Sequence, residues 1–339
     1  MTYETILWLG QDYEGYGSAY YQNDLFSTYQ DLYTVYTYGP GFDGYSESDD
    51  IHDVLQRLPA QPDLIVVANT WEVQDEAVDE FSPHPDLSLG EIDIPKLMFL
   101  NKEYKKLDLK LEYIRNNGVD YVTSVLKHRC AEWESKTGAT FIWEPFGIDL
   151  SQFNYDPSIS ETYDLAFTGS IHERWIDERQ EVKDHLFKNK YKDFKWWHNF
   201  IHTRRFKERY DGLTIYWGEW DHKNLCWRSR APFGERYVTF LNKCKAFLNT
   251  LSAEDIFNPR FWELMATKTL IICPSDDYYG LLEDEVNCVM YDDLSEFDEL
   301  LHYYAAHDQE RQKIVDRAHE EIKRYSWESV AENLMSKIQ

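Results

Sequence analysis

Short apolar runs alternate with amphipathic stretches along the first part of the chain. The runs at residues 5–9 (TILWL), 63–68 (DLIVVA) and 96–100 (KLMFL) are almost entirely hydrophobic. Strands of this kind, separated by amphipathic helices, are typical of a parallel, doubly wound sheet that is covered on both faces. Further strands are predicted at residues 32–38, 121–124 and 140–143, and helices at residues 18–29, 51–58, 105–116 and 125–135.

A segment rich in proline, aspartate and serine at residues 144–160 interrupts this pattern, which then begins again. Such a composition favours an irregular connection. In the second half, strands are predicted at residues 163–168, 213–217, 246–249, 269–273 and 287–291, and helices at 176–188, 258–267, 295–306, 308–325 and 326–338. The basic and aromatic stretch 191–209 is left without an assignment. The pattern predicts an α/β protein with two Rossmann-like, doubly wound parallel-sheet domains, residues 1–155 and 156–325.

The size and charge of the chain narrow the possible functions. A chain of 339 residues is long enough for two domains, and 43% hydrophobic residues suffice for a packed core. The formal net charge of −26 repels a polyphosphate backbone, so nucleic acid is not expected as a partner. An anionic ligand therefore needs a local basic pocket or the N-terminus of a helix.

The expected location of the protein is the cytoplasm. No window approaches the ~18 consecutive apolar residues of a membrane span, so no transmembrane segment is expected. The N-terminus lacks a basic region followed by an apolar stretch, which a secretion signal would have. The five scattered cysteines have no CxxC spacing and fit reduced thiols better than a disulfide framework.

Residues 252–275 (SAEDIFNPRFWELMATKTLIICPS) are the most informative about function. Asn258 is a good N-cap and Pro259 suits the first helical position, so a helix is predicted to begin here after a strand. The free N–H groups at such a helix start favour a phosphate, and Arg260 adds a charge-assisted contact to a diphosphate. Glu263, one turn further on, can accept hydrogen bonds from two adjacent hydroxyls such as those of a ribose. These residues indicate a nucleoside diphosphate.

Several segments resemble the C-terminal domain of the GT-B glycosyltransferases. They are residues 258–266 (NPRFWELMA), 269–273, 287–292 (NCVMYD), 296–300 and 325–334 (YSWESVAENL). The greatest similarity is to the CgeB-like, "glycosyl transferases group 1" subset, whose pattern is roughly R-x-F-E-x-M-A-x-G-T. The resemblance extends over residues 163–334, where 164–170 (DLAFTGS) are similar to the first strand and glycine loop of the donor domain. Residues 144–153 (EPFGIDLSQF) resemble the interdomain motif P-x-G-x-D-x-x-x-F.

The resemblance implies roles for individual residues. Glu263 matches the acid that holds the nucleotide ribose, and Arg260 approximately matches the arginine of the pattern. Asp255 takes the place of the first acid in an E-x7-E pair, as aspartate instead of glutamate, and is the catalytic candidate on this side. Lys268 stands where the family has glycine. The resemblance also implies that the last helix, residues 326–339, packs back on the N-terminal domain.

Further candidates lie at the ends of predicted strands, where doubly wound sheets bind ligands. The donor-binding candidates, besides Glu263, Arg260 and the helix start at Asn258, are Gly169, Ser170, Arg174 and Lys245. In the N-terminal domain, which the resemblance makes the acceptor domain, the loop 10–17 follows the first strand and residues 101–104 follow the strand 96–100. Asp12 and Glu103 are the catalytic candidates there, and Gln11, Glu14 and Lys102 are the acceptor-binding candidates. Asp12 or Glu14 could serve as the general base.

The sequence also contains candidates for other sites and functions. The acidic pairs 276–277 and 292–293 and the DxD-like residues 91–93 could suggest a metal-bound diphosphate, yet the expectation is no metal and no cofactor. Motifs of P-loop and NAD enzymes are absent from the sequence. The predicted function is metal-independent transfer of a sugar from a UDP- or GDP-sugar to an acceptor hydroxyl on a glycan or other small acceptor. A nucleotide-sugar epimerase of the same fold and an inactive carbohydrate-binding module remain as alternatives.

Overall fold

The first unit of the chain is built on a parallel sheet. The computed structural model describes residues 3–12, 20–68, 87–100, 102–171, 177–187, 205–220 and 235–338. Within them the first sheet has the strands β1 (Thr5–Leu9), β2 (Thr34–Tyr38), β3 (Leu64–Val67), β4 (Lys96–Phe99), β5 (Tyr121–Ser124) and β6 (Thr140–Trp143). Their order is β2-β1-β3-β4-β5-β6, and all adjacent pairs are parallel. Every side chain of β3 (LIVV) is buried, as expected for a central strand covered on both faces.

The helices of this unit come from both ends of the chain. They are α1 (Tyr20–Leu32), α2 (Ile51–Arg57), α3 (Leu107–Asn116), α4 (Cys130–Thr137) and the C-terminal α10 (Trp327–Lys337). Trp327 and Leu334 of α10 share a hydrophobic cluster with Ile6 and Trp8 of β1. Glu144, 8% exposed, accepts a hydrogen bond from the Nζ of Lys337 at 2.7 Å. The first compact unit therefore comprises Met1–Gly147 together with Trp327–Gln339.

The second compact unit, Ile148–Ser326, contains another sheet. Its strands in the described residues are β7 (Leu165–Ser170), β8 (Arg205–Tyr210), β9 (Leu213–Trp220), β10 (Ala246–Leu248), β11 (Leu270–Pro274) and β12 (Val289–Tyr291). The order is β12-β11-β10-β7-β9-β8, with β8 antiparallel to β9 and the other adjacent pairs parallel. The helices are α5 (Asp177–Phe187), α6 (Glu235–Leu241), α7 (Arg260–Ala266), α8 (Leu294–Ala306) and α9 (Asp308–Glu321).

The core of the second unit lies on its central strands. Phe167 of β7 stacks on Trp217 of β9 with ring centroids 4.4 Å apart, and both side chains are at most 1% exposed. The connection that follows β10 is also fixed, because Thr250 and Asn249 are buried. The packed core therefore holds the carboxyl ends of β7 and β10 in place.

The prediction of two parallel-sheet α/β domains is confirmed, although some elements differ from expectation. The stretch without an assignment ends in β8, and α6 was not predicted at all. The helix predicted at 125–135 is divided, since Leu126 has a non-helical conformation (φ −101°, ψ 85°) before a 3₁₀ turn and α4. The divisions between units fall at 147/148 and 326/327, compared with predicted boundaries at 155/156 and 325/326. No helix in the described ranges combines the length and apolar composition needed to cross a membrane.

Candidate functional site

Two arginines meet at the carboxyl end of β7. A Cβ atom placed on Gly169 would lie 3.5 Å from the Nη1 of Arg179 and 3.5 Å from the Nη1 of Arg260. The two guanidinium nitrogens are therefore no more than about 7 Å apart, because both are within contact distance of one point. The same Cβ would lie 3.2 Å from the Cζ of Phe167, so the absence of a side chain at residue 169 lets both cations come close to the end of β7. This arrangement can bind a diphosphate.

Arg179 reaches this position from the helix α5. Its side chain is 6% exposed, and its Nε donates to the Oγ1 of Thr250 at 2.8 Å. The guanidinium also lies over the ring of Phe167, 5.8 Å from the centroid. Thr250 follows β10, so this hydrogen bond joins α5 to the end of β10 through two residues that are 71 positions apart in the sequence. The orientation of Arg179 is thereby fixed before any ligand binds.

Arg260 is the first residue of α7 and is partly buried. One Nη1–H donates to the backbone oxygen of Thr168 in β7, and the Nε–H donates to the hydroxyl of Tyr237 at 3.0 Å. The guanidinium lies over the ring of Phe247, 5.6 Å from the centroid. The carbonyl and the phenol are both neutral acceptors, and they hold the guanidinium at the end of β7.

Glu263 lies one turn after Arg260 and is linked to it through Tyr237. The hydroxyl of Tyr237 donates to the Oε2 of Glu263 at 2.8 Å, while it accepts from Arg260. Burial raises the pKa of Tyr237 far above its usual range, so the phenol stays protonated and remains a donor at physiological pH. Glu263 itself is 4% exposed. A carboxylate has about four lone-pair sites, so a bond from Tyr237 is compatible with bonds from ligand hydroxyls.

The start of α7 differs from the prediction. Asn258 does not cap the helix with its side chain; the capping position is Pro259, and no side-chain cap bond forms. The Asn258 Nδ2 instead donates to the backbone oxygen of Thr250 at 2.8 Å, and its Oδ1 accepts from Asn249 at 3.3 Å. The side-chain amide of Asn258 thus stabilises the connection between β10 and α7. Because α7 has only seven residues, the guanidinium groups, and not the helix dipole, dominate the positive field.

The chain is similar to known glycosyltransferases in part of its sequence and in its fold. Residues 179–336 match the family described as glycosyl transferase-like. The matched residues include most of the second unit and the helix α10. A comparison with curated protein sequences gives no significant match. The family match covers α5 to α10 and so includes the arginines, Tyr237 and Glu263.

Solved glycosyltransferases have the same fold over the whole chain. HepE from Anabaena, in complex with UDP and glucose, has a TM-score of 0.61 at 11% identity, with 99% of each chain covered. A DNA-modifying β-glucosyltransferase has a TM-score of 0.59 at 14% identity, with 98% of this chain and 99% of that chain covered. Sucrose-phosphate synthase from Thermosynechococcus elongatus has a TM-score of 0.53 at 11% identity, with 99% and 98% covered. The predicted GT-B fold is confirmed by these structures.

Asp255, the catalytic candidate of the second unit, does not join the buried cluster of Arg179, Arg260, Tyr237 and Glu263. It ends a 3₁₀ turn, Ala253–Asp255, in which Glu254 and Asp255 both have positive φ angles (58° and 61°). Its side chain is exposed, and its backbone oxygen accepts from the hydroxyl of Tyr279 at 2.9 Å. The structure therefore does not show Asp255 and Glu263 as a carboxylate pair.

Lys245 requires a correction, because it lies away from the arginines. It immediately precedes β10, and its Nζ pairs with the Oδ1 of Asp164 at 2.9 Å. Asp164 in turn precedes β7, so this ion pair is at the amino ends of the parallel strands, opposite the edge that carries Gly169. Ser170 ends β7, but its side chain is not described. Arg174 lies outside the described residues.

In the first unit, Glu103 is buried instead of facing solvent. Its side chain is 1% exposed, and its Oε1 accepts from the Oγ of Ser124 at 2.7 Å and from the N–H of Val125 at 3.0 Å. Burial raises the pKa of Glu103 to about 7, although both hydrogen bonds act in the opposite direction. The Oε2 is buried without a hydrogen-bond partner among the described residues. In this conformation Glu103 stabilises the turn after β5 and does not present a base to an acceptor.

The other candidates of the first unit lie near strand ends. Gln11 is buried, and its Oε1 has no hydrogen-bond partner within the described ranges. The N–H of Asp12 donates to the backbone oxygen of Pro40 at 2.9 Å, which holds the end of β1 against the next loop. Lys102 has a positive φ of 47°, and its backbone oxygen accepts from the Nζ of Lys110 at 3.1 Å. Glu14 lies outside the described residues.

Sequence reasoning missed two residues of the cluster. Arg179 lies one helical turn or more beyond the glycine loop in a helix rich in charged residues, where one more arginine gives no distinct signal. Tyr237 belongs to α6, a helix of seven residues that was not predicted. As regards metals, the described residues contain no group of three His, Cys, Asp or Glu side chains that could hold an ion.

Proposed function

We propose that this protein transfers a sugar from a nucleoside diphosphate donor to an acceptor hydroxyl and that it does so without a metal ion. The observation that carries the proposal is the convergence of Arg179 and Arg260 on Gly169, with Glu263 joined to the same cluster through Tyr237. Two cations beside a carboxylate that can accept hydroxyl donors match the chemistry of a diphosphate attached to a ribose. The mechanism follows from this match.

The two guanidinium groups act on the leaving group. When the bond between the anomeric carbon and the diphosphate oxygen breaks, a further negative charge develops on the diphosphate. Guanidinium groups form charge-assisted and often bidentate hydrogen bonds to phosphate oxygens. Because Arg179 is already held by Thr250 and Arg260 by Tyr237, they need little reorganisation as the charge develops, which is the condition for effective electrostatic catalysis.

Glu263 orients the other half of the donor. We assign its carboxylate to the two hydroxyls of the ribose, since it lies one turn of α7 beyond Arg260 and has little exposure. HepE has been solved with UDP-glucose, and the DNA-modifying β-glucosyltransferase with uridine diphosphoglucose as its named substrate. These relatives support a uridine donor as the first choice for this chain.

The acceptor that we propose is an uncharged hydroxyl compound such as a glycan. The net charge of −26 opposes binding of another polyanion, so the electrostatics favour a neutral acceptor. The acceptor oxygen forms the new bond to the anomeric carbon, and its proton passes to a base as the diphosphate leaves.

A thermal-shift panel of UDP, GDP, ADP and dTDP tests the proposal. A ligand at about 100 times its Kd adds about 2.7 kcal/mol to the free energy of unfolding, which raises the melting temperature by several degrees. We expect UDP to do so. Glu263→Ala should weaken binding of the same nucleotide about tenfold or more, as expected for lost hydrogen bonds to a charged group. Glu299→Ala, which removes an exposed carboxylate in α8, is the matched control and should bind like the parent.

Two outcomes would count against the proposal. If none of the four nucleotides stabilises the parent, donor binding by this chain is wrong. If Glu263→Ala binds the stabilising nucleotide as tightly as the parent does, the ribose assignment is wrong while the transferase assignment stands.

A further inference from the structure

We infer that Tyr237 is a positioning residue that sets the geometry of the two donor contacts, Arg260 and Glu263, at the same time. This inference rests on the proposed donor site. The phenol hydroxyl contacts both: it accepts from the Nε of Arg260 at 3.0 Å and donates to the Oε2 of Glu263 at 2.8 Å. A diphosphate contact and a ribose contact are thereby joined by one oxygen.

The hydroxyl group gives a cation and an anion of the same helix one shared neutral partner. Arg260 and Glu263 are three residues apart in α7, a spacing at which opposite charges can approach each other directly. With the hydroxyl in place, each charge has a neutral partner of fixed direction. Without the hydroxyl, the Nε of Arg260 and the Oε2 of Glu263 both lose that partner in a buried site, and we expect the two side chains to turn towards each other. Such a direct pair would compete with the donor for both groups.

The helix that carries Tyr237 is itself anchored. Asn242, directly after α6, accepts from the N–H of Asp156 at 2.8 Å and donates from its Nδ2 to the backbone oxygen of Asn154 at 3.0 Å. The ring of Phe153 meets the ring of Tyr237 edge to face at 6.4 Å. The residues after the segment 144–153 therefore support α6 from outside the donor cluster. An anchored helix can hold the hydroxyl in one place, which a positioning role requires.

Tyr237→Phe tests this inference because it removes the hydroxyl and keeps the ring. The probe is the nucleoside diphosphate of the panel that binds the parent, with UDP expected, and affinity is measured by calorimetry. We expect Tyr237→Phe to raise Kd about tenfold. Tyr210→Phe is the matched control, since its hydroxyl bonds to Asp298 at 2.8 Å and it pairs with Leu213 at the amino end of β9, opposite the donor cluster. This control should bind like the parent.

A double-mutant cycle separates positioning from a general loss of structure. If Tyr237 acts through Glu263, Tyr237→Phe should weaken binding by less than about twofold when it is added to Glu263→Ala. A purely structural effect would add fully in both backgrounds and would lower the melting temperature of the unliganded protein along with the affinity.

The outcomes distinguish this inference from the function on which it rests. A parent that binds no nucleoside diphosphate overturns both. A parent that binds, together with a Tyr237→Phe variant of equal affinity or with full additivity in the Glu263→Ala background, overturns the role of Tyr237 alone. Weakened binding with strong non-additivity supports it.

Discussion

At the scale of single residues, Lys268 explains a departure from the family pattern. It stands where the pattern has glycine, and it has a positive φ of 54° directly after α7. The left-handed backbone conformation costs about 1 kcal/mol or more for a residue that has a Cβ. The Nζ of Lys268 pairs with Asp316 at 2.8 Å and lies 5.1 Å from the centroid of the Tyr155 ring. These contacts offset part of that cost, so the turn keeps its left-handed conformation with a lysine in it.

Glu103 makes stability depend on pH. Burial raises its pKa from 4.5 to about 7, so the folded protein keeps this proton up to a higher pH than the unfolded chain does. The stability from this group is fully present below about pH 4.5 and is lost as the pH rises through about 7. Burial also lowers the pKa of the nearby Lys110 to about 8, which affects stability only in a more alkaline range.

Glu103→Gln should therefore change the pH profile of unfolding. Between about pH 5 and about pH 7, we expect the parent to lose about 2 kcal/mol of unfolding free energy relative to the variant. Chemical denaturation followed by tryptophan fluorescence measures the difference. Glu112→Gln, at an exposed position of α3, gives the background effect of removing one carboxylate. If the unfolding free energies of the parent and of Glu103→Gln depended on pH in the same way, burial would not raise the pKa of Glu103.

At the scale of elements, α10 completes the first unit through a close contact. A Cβ atom on Gly147 would lie 2.5 Å from two ring atoms of Trp327 and 2.9 Å from its backbone Cα. Because the backbone is involved, rotation of the side chain cannot relieve this overlap. The last strand region of the first unit and the start of α10 can approach this closely only if residue 147 is glycine.

Gly147→Ala should destabilise the first unit by about 1–3 kcal/mol, the usual range for overpacking. The midpoint of denaturant-induced unfolding measures the change. Glu332→Ala, at an exposed position in α10, is the control and should remain within about 0.5 kcal/mol of the parent. An unchanged midpoint for Gly147→Ala would mean that α10 does not pack against residue 147 as described.

Element prediction succeeded where apolar runs are clearly bounded. The strands Tyr121–Ser124 and Thr140–Trp143 have the predicted bounds, because each is short, buried in part and flanked by polar residues. β8 (RFKERY) was missed since it is polar and basic, and it gains its conformation from pairing with β9. α6 has fewer than two full turns, which is too short for a helical period to be recognised.

At the scale of the whole molecule, the net charge bears on whether nucleic acid is a partner of this chain. The DNA-modifying β-glucosyltransferase has the same fold, yet this chain has a formal charge of −26. The net negative charge of the chain repels an approaching phosphate backbone, and the two arginines of the candidate site do not cancel that charge.

We expect no binding of duplex DNA at physiological salt. A gel-shift assay with the full chain measures this at about 150 mM salt and again at lower salt, where electrostatic attraction would be stronger. A shifted band that weakens as salt is added would overturn the proposal of a neutral acceptor, although the donor site would be unaffected.

The sequence by itself determined the fold class and the order of most strands and helices, and it identified Arg260 and Glu263 as candidates for donor binding. These features are local, since the strand period, the helix start and the R-x-x-E spacing are all contained in short windows. The tertiary structure alone decided that Arg179 joins Arg260 at Gly169, that Tyr237 links Arg260 to Glu263, and that Lys245 lies at the opposite edge of the sheet. Those relations depend on contacts between residues far apart in the chain, such as Arg179 with Thr250, and only the packing of strands and helices brings such residues together.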